Sequence, residues 1–254
     1  FADQKIGLMP SWTWTENVSP DKKYSIKRID VDGVSRSKVN NKGQAIAATD
    51  EKLTNFWRWF GDSKAVDDEG SPMVVYRGVD KDYDGEVRIA KDGALGSGIY
   101  TTPLAEFASE YAKVNGGNVM PLYVSLKNPL ILREGSEDPM VLALVQLGMS
   151  KNKAETLVEK AYEEKGYVGK QVMNRAQSQN YDGIMQYRNG KLTEIVAFNR
   201  LQLKSSTGNI GAFSKANEST KYSIRDKIPT NIQADINRTT HVRDEAGYPK
   251  RIMA

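Results

Sequence analysis

The sequence has no cysteine and a single histidine, His241. Disulfides and thiolate metal centres are therefore excluded, and no His-rich metal site can be assembled. A Ser-His-Asp triad would have to use His241, whose polar setting, NRTTHVRDE, marks it as a solvated side chain. No stretch approaches the ~20 consecutive apolar residues that cross a bilayer. Nor does the opening, FADQKIGLMPSW, carry a basic segment followed by an apolar one, or an initiator methionine. The chain reads as part of a longer polypeptide, neither membrane-embedded nor a disulfide-bonded secreted protein.

What is present fits one substantial core with extensions. The 254 residues are 39% hydrophobic and 27% charged, with a net charge of +4. That charge is uneven. Residues 21–42 carry seven Lys/Arg against three Asp, residues 215–254 carry eight Lys/Arg against five acids, and the remainder is net acidic. The basic excess belongs to the flanks, so the pI near 9.0 does not make the middle a nucleic-acid-binding surface. The flanks are read as solvated extensions able to touch an acidic neighbour in a virion or polyprotein. A short repeat, KYSIK at 23–27 and KYSIR at 221–225, brackets the middle. We divide the chain into a basic N-terminal extension (1–48), a central domain (49–214) and a basic C-terminal extension (215–254) with helical pieces at 229–238 and 241–253.

Within the central domain, TDEKLTNFWRWFG has a Thr49 or Asp50 cap, acidic residues in its first turn and Leu53, Phe56, Trp57 and Phe60 at helical spacing. It predicts an aromatic-faced helix ending at Gly61. PMVVYRGV predicts a strand stopped at Gly78, and a loop of about fifteen residues follows. GIYTT is the next strand. PLAEFASEYAKV is a helix with Pro103 in its first turn and Leu104, Phe107, Ala108 and Tyr111 on one face. VMPLYVSLKNPLIL gives one or two strands, and 138–165 are helical, with Ser150 as a cap. YDGIMQY and LTEIVAF form a hairpin around RNGK. Short strands separated by single helices, without a βαβ rhythm, indicate an α+β fold.

Three strands carry polar residues at or near their ends: Arg77 in VYRG, Tyr100 in GSGIYTT and Glu194 in LTEIVAF. Tyr111 follows Tyr100 by eleven positions. GALGSG resembles a phosphate loop, but it lacks the Lys-Ser/Thr pair and precedes a strand. Two glycines before the strand that holds Tyr100 allow close backbone approach, and the tyrosine offers a flat wall.

In this order, VYRG, GSGIY, ASEY and TEIVAF resemble the ADP-ribosyltransferase fold. The tyrosine pair is similar to that of the diphtheria-toxin and poly(ADP-ribose) polymerase branch. NFWRWFGDSKAVDDEGSPMVVYRG, NYDGI, EIVAFNRLQLKS and GNIGAFS, over residues 50 to 214, more closely resemble the ADP-ribosyltransferase-like domains of polyvalent proteins from phages and mobile elements. The resemblance implies a split mixed β-sheet core with peripheral helices. It implies NAD+ as substrate, without a metal, and a mono-ADP-ribosyltransferase acting on a macromolecular acceptor. Such an effector would work in the host cytoplasm or travel with the virion.

It also implies roles for particular residues. Tyr100 and Tyr111 would clasp the nicotinamide ring, and the Gly78 N–H and C=O would meet its carboxamide. Gly98 and Thr101 would complete the NAD+ site. Arg77, which stands where the toxin-like branch has histidine, would hold a ribose hydroxyl or the diphosphate. Glu194 would accept from the ribose 2′-OH and stabilise positive charge on the sugar. Two departures stand out. Leu192 occupies the position where arginine-specific relatives carry Glu or Gln, and Ala108, with Ser109 beside it, occupies the place of a carboxamide-binding serine. NAD+ glycohydrolysis on the same site, and a non-catalytic virion or packaging module using the basic flanks, are the competing readings.

Overall fold

The computed structural model describes residues 28–79, 87–91, 93–114, 117–133, 138–164 and 166–208, together with residues 211, 213 and 215. Both KYSI segments, His241 and the helices expected at 229–238 and 241–253 lie outside the described residues.

Two strands, β1 (Arg28–Val31) and β2 (Val34–Ser37), form a hairpin around Asp32 and Gly33. Helix α1 (Asp50–Phe60) follows. The Thr49 hydroxyl accepts from the Lys52 N–H, and Gly61 ends the helix with φ +57. Strand β3 (Val75–Val79), strand β4 (Ile99–Thr101) and helix α2 (Ala105–Val114) come next. Then come β5 (Asn118–Val124), β6 (Pro129–Arg133), α3 (Pro139–Gln146), α4 (Lys151–Glu163) and α5 (Gly169–Ser178). The hairpin β7 (Gly183–Arg188) and β8 (Lys191–Ala197) turns on Asn189 and Gly190, both at positive φ. A 3-10 turn (Arg200–Gln202) leads into β9 (Leu203–Ser205).

The fold is α+β, as the sequence indicates. A three-stranded sheet, β3-β5-β9, lies beside a four-stranded one, β4-β8-β7-β6, in which only β6 and β7 run parallel. Side-chain alternation along β7 and β8 sends Met185 and Ile195 to one face and Ile184 and Val196 to the other. The first face packs on the α1 aromatics and the three-stranded sheet. The second is covered by α3, α4 and α5.

Several expectations change. Residues 28–48 join the core. Val31 and Ile46 are buried with the α1 aromatics, Trp57 Nε1 donates to the Ser37 carbonyl at 2.8 Å, and Asn40 Nδ2 donates to the Tyr123 hydroxyl at 3.1 Å. The boundary expected at residue 49 therefore falls inside the packed unit. Gly78 does not end its strand; β3 runs through it to Val79, in register with Val119. Pro103 precedes α2 and is not in its first turn, and Ser150 caps α4 without a side-chain bond. Helix α5 was not predicted. Its start, Gly169, is a poor helix former locally but the only residue type that fits, because a Cβ there would meet the Ser97 N at 2.9 Å.

Candidate active site

The site begins where the two sheets part. Tyr76 exchanges both backbone hydrogen bonds with Thr102, at 2.7 and 2.9 Å. Its amide groups thus point away from β5, where Pro121 stands opposite and has no N–H to offer. Continued one step, this antiparallel pairing would set Gly78 against Tyr100. The strands separate instead. The N–H and C=O of Gly78, two residues on from Tyr76, face the same edge, past the end of the pairing. Arg77 spans the gap: Nη1 donates to the Tyr100 carbonyl at 2.8 Å and Nη2 to the Arg88 carbonyl at 3.2 Å.

A cleft of about 370 Å³ occupies the opening. Arg77, Gly78, Tyr100, Thr101, Tyr111 and Glu194 all line it, although they come from β3, β4, α2 and β8. Helix α2 lies directly on Gly78, where a Cβ would come within 2.6 Å of the Ala108 carbonyl oxygen and 2.9 Å of the Ala112 N. Only glycine permits that approach, and the approach brings Tyr111 to the cleft. Tyr100 is held at its tip: its hydroxyl donates to the Gly96 carbonyl at 2.7 Å and accepts from the Leu95 N–H at 2.8 Å. Tyr111 is 66% exposed, a large aromatic surface left open to a ligand.

Two expected residues sit differently. Gly98 does not line the cleft; it bridges to Ala90, and a Cβ on it would collide with Val196 and Ala197. Thr101 lines the cleft, but its hydroxyl donates to the Ile195 carbonyl at 3.2 Å. Arg77 commits two of its donors to backbone carbonyls, so it braces Tyr100 as well as facing the cleft.

Glu194 reaches the cleft through a β-bulge. From the turn, the register runs Arg188↔Lys191 and Tyr187↔Leu192, then steps to Gln186↔Glu194, leaving Thr193 as the extra residue. Leu192 and Tyr187 consequently pack with the core between the sheets. Glu194 shares the opposite face with Val196 and with Tyr100, the partner of Val196. In an unbulged strand, residues 192 and 194 would share one face. Burial pushes the Glu194 carboxyl above the ordinary carboxylate range, and the positive charge of Arg188 opposes that shift.

Other lining residues escaped the sequence reading as site residues: Tyr76, Thr102, Phe107, Tyr167 and the small residues Ala90, Gly93 and Ala94. The signal for Phe107 was present, since Leu104, Phe107 and Tyr111 lie on one helical face and are all exposed. Tyr167 had no local signal. It arrives from the α4–α5 connection and packs edge-on against Tyr162 at 5.9 Å, whose hydroxyl donates at 2.6 Å to Asp138, the cap of α3. Among the described residues, no cluster of His, Cys, Asp or Glu could hold a metal ion, and no helix is long and apolar enough to cross a membrane.

A sequence profile of ADP-ribosyltransferases in polyvalent proteins matches residues 67–213. Comparison with the curated proteins finds no match. Among solved structures, the crystal structure of an anti-CRISPR protein aligns at 18% identity and a TM-score of 0.27, covering 50% of this chain and 89% of that one. A score that low carries no argument about fold or function.

Proposed function

The chain belongs to the ADP-ribosyltransferases of polyvalent proteins, and from that premise we propose that it transfers one ADP-ribose from NAD+ to a macromolecular acceptor, as an effector of a phage or mobile element. The observation that carries the reading is the convergence of Gly78, Tyr100, Tyr111 and Glu194 on one cleft where β3 and β4 separate.

The chemistry follows from those groups. The bond that breaks joins nicotinamide to the ribose C1′, and nicotinamide leaves as a neutral flat ring. Tyr100 and Tyr111 supply aromatic surface for that ring. The Gly78 N–H and C=O offer one donor and one acceptor, the pair a carboxamide needs. Positive charge develops on the sugar in the transition state. Glu194 accepts from the ribose 2′-OH and stabilises that charge in a partly dehydrated setting, where a fixed carboxylate acts more strongly than in water. The acceptor nucleophile then bonds to C1′ and releases its proton to solvent.

Glu194 must be ionised for this role. Its raised titration places the acid limb of the rate profile at higher pH than an ordinary carboxylate would, so activity falls sooner on acidification.

The direct test is incubation with NAD+ labelled in its ADP-ribose portion and a host lysate, followed by separate protease and nuclease digestion. Label bound to macromolecules, removed by one digestion, is the expected result. Glu194→Gln lowers the rate by roughly 10²–10³-fold while the protein stays folded. Nicotinamide release with no labelled macromolecule would assign the site to NAD+ glycohydrolysis, and an inert wild-type protein would refute both.

A further inference from the structure

Helix α2 turns its small side chains inward and its large ones outward. Ala108 and Ala112 are buried against β3, over Gly78. Leu104, just before the helix, Phe107 and Tyr111 form a stripe along the outer side and are 48%, 53% and 66% exposed. None of the three belongs to the packed core on either side of the sheets. Large apolar side chains exposed singly are ordinary, but three in one stripe make a patch of the kind that marks an interaction site. Phe107 and Tyr111 line the cleft, and Leu104 continues the stripe beyond it. Tyr167, 46% exposed, adds a further ring to the same cleft.

The edge of the stripe is acidic. Going round α2 away from Ala108 and Ala112, Tyr111 and Phe107 are followed by Glu110 and then Glu106. Both carboxylates are exposed, and among the described residues neither forms an ion pair, with Lys113 in the last turn or with any other cation. Like charges four apart on a helix repel, so the pair costs α2 stability that a cation brought from outside would restore. Arg77, the cation that lines the cleft, is committed to the Tyr100 and Arg88 carbonyls. An acidic-edged apolar face selects its partner by charge. Nucleic-acid phosphates would meet carboxylates here, and the chain between the two basic flanks is net acidic. A protein that shows an apolar side chain with Lys or Arg beside it complements both parts of the face.

We propose that the outer face of α2 is the docking surface for the acceptor, a protein that presents an apolar side chain flanked by Lys or Arg. The stripe takes the apolar side chain, and Glu106 and Glu110 take the cations. Because the stripe runs into the cleft, docking brings a nucleophile of the bound protein to the ribose. That nucleophile bonds to C1′ in place of water, the bond to nicotinamide breaks, and the nucleophile's proton passes to solvent. The acceptor role rests on the transfer reading above; the docking preference does not.

The test has two arms. In the first, transfer of labelled ADP-ribose in a host lysate is compared with nicotinamide release in buffer alone, for the wild type, Leu104→Ser and Glu106→Lys/Glu110→Lys. None of these side chains lines the cleft, so nicotinamide release should stay within about twofold while protease-sensitive label falls about tenfold. Label that is unchanged, or that falls only in step with nicotinamide release, overturns the inference, and so does label removed by nuclease alone. The second arm needs no turnover: fluorescence anisotropy of a labelled peptide alternating Leu with Arg, of its Leu-Glu counterpart and of single-stranded DNA. The Leu-Arg peptide should bind the wild type, and bind about tenfold more weakly to the charge-reversed protein. Leu-Arg binding that is absent, or equal in the two proteins, overturns the inference, as does Leu-Glu or DNA binding that Leu104→Ser weakens. Self-association of the wild type that is lost in Leu104→Ser would assign the face to a second copy and likewise overturn it. A wild type that labels nothing refutes the transfer reading, and the binding arm then decides docking.

Discussion

Replacing Gly78 with alanine adds one methyl group where two requirements meet. A Cβ at this position would lie 2.6 Å from the Ala108 carbonyl oxygen and 2.9 Å from the Ala112 N. Both atoms belong to the α2 backbone, so no side chain can swing aside. The helix must retreat from β3 by about half an ångström or more, or β3 must bend. Overpacking of this kind costs about 1–3 kcal/mol, which for a protein of this size lowers Tm by roughly 3–10 °C. The functional loss should be larger than the stability loss implies. Helix α2 carries Phe107 and Tyr111 into the cleft, and the substituted residue holds the N–H and C=O assigned to the carboxamide. A displacement approaching 1 Å at a reacting centre costs on the order of 10²-fold in rate. Thermal unfolding and kcat/KM for NAD+ should therefore be measured on the same preparation at a temperature where both proteins are folded. Gly78→Ala is expected to lose Tm by several degrees and kcat/KM by one to two orders of magnitude. Wild-type Tm and wild-type kcat/KM together would refute the close packing of α2 on β3, and with it the reason given for glycine.

Three further perturbations probe other parts of the structure. Tyr100→Phe removes the hydroxyl that bonds the Gly96 carbonyl and the Leu95 N–H, both on buried residues, so KM for NAD+ should rise about tenfold and Tm should fall by several degrees; an unchanged KM would show that this tether does not shape the cleft. Phe213 is 4% exposed and meets the Phe56 ring at 5.1 Å and the Trp59 ring at 6.1 Å, so Phe213→Ala should cost about 3–5 kcal/mol, and a calorimetric Tm within about 2 °C of wild type would contradict its place in the core. Lys204 is 0% exposed, and burial holds its ammonium down at about 8 instead of 10.5. Below pH 8 the folded and unfolded chains both keep the proton, and burying the charge is unfavourable. Between the two values only the unfolded chain is protonated, so stability rises with pH through that window. Urea unfolding at pH 7.5 and 10 should show the wild type gaining on the order of 1–3 kcal/mol relative to Lys204→Met, and parallel pH dependences would exclude the shift.

How much of this was legible in the chain depends on the range over which each feature is decided. Helix α1 was readable because its cap, its acidic first turn, its aromatic spacing and its terminal glycine all act within four residues of one another. The β7–β8 hairpin was readable for the same reason, since Asn189 and Gly190 adopt the positive φ that a tight turn requires. Motif order brought Arg77, Gly78, Tyr100, Thr101, Tyr111 and Glu194 to attention, and all six line one cleft. Gly98 was misplaced because close approach to a ligand and close approach to Val196 look the same in sequence.

By itself, then, the sequence determined some of the local pieces: the first helix with its cap and its stop, the β7–β8 hairpin with its turn, and that no thiolate centre can form. Tertiary structure alone decided which surfaces those pieces present. The parting of β3 from β4 after the Tyr76–Thr102 bridge creates the cleft, and nothing in either strand's composition announces it. The extra residue at Thr193 sends Leu192 inward and Glu194 outward, a choice made by pairing across strands and invisible to any count along one of them. Tyr167 reaches the cleft because Asp138 and Tyr162 anchor it there, and residues 28–48 belong to the core because Trp57 and Tyr123 bond to them. Local conformation follows from neighbours in the chain; the face a side chain shows follows from neighbours in space.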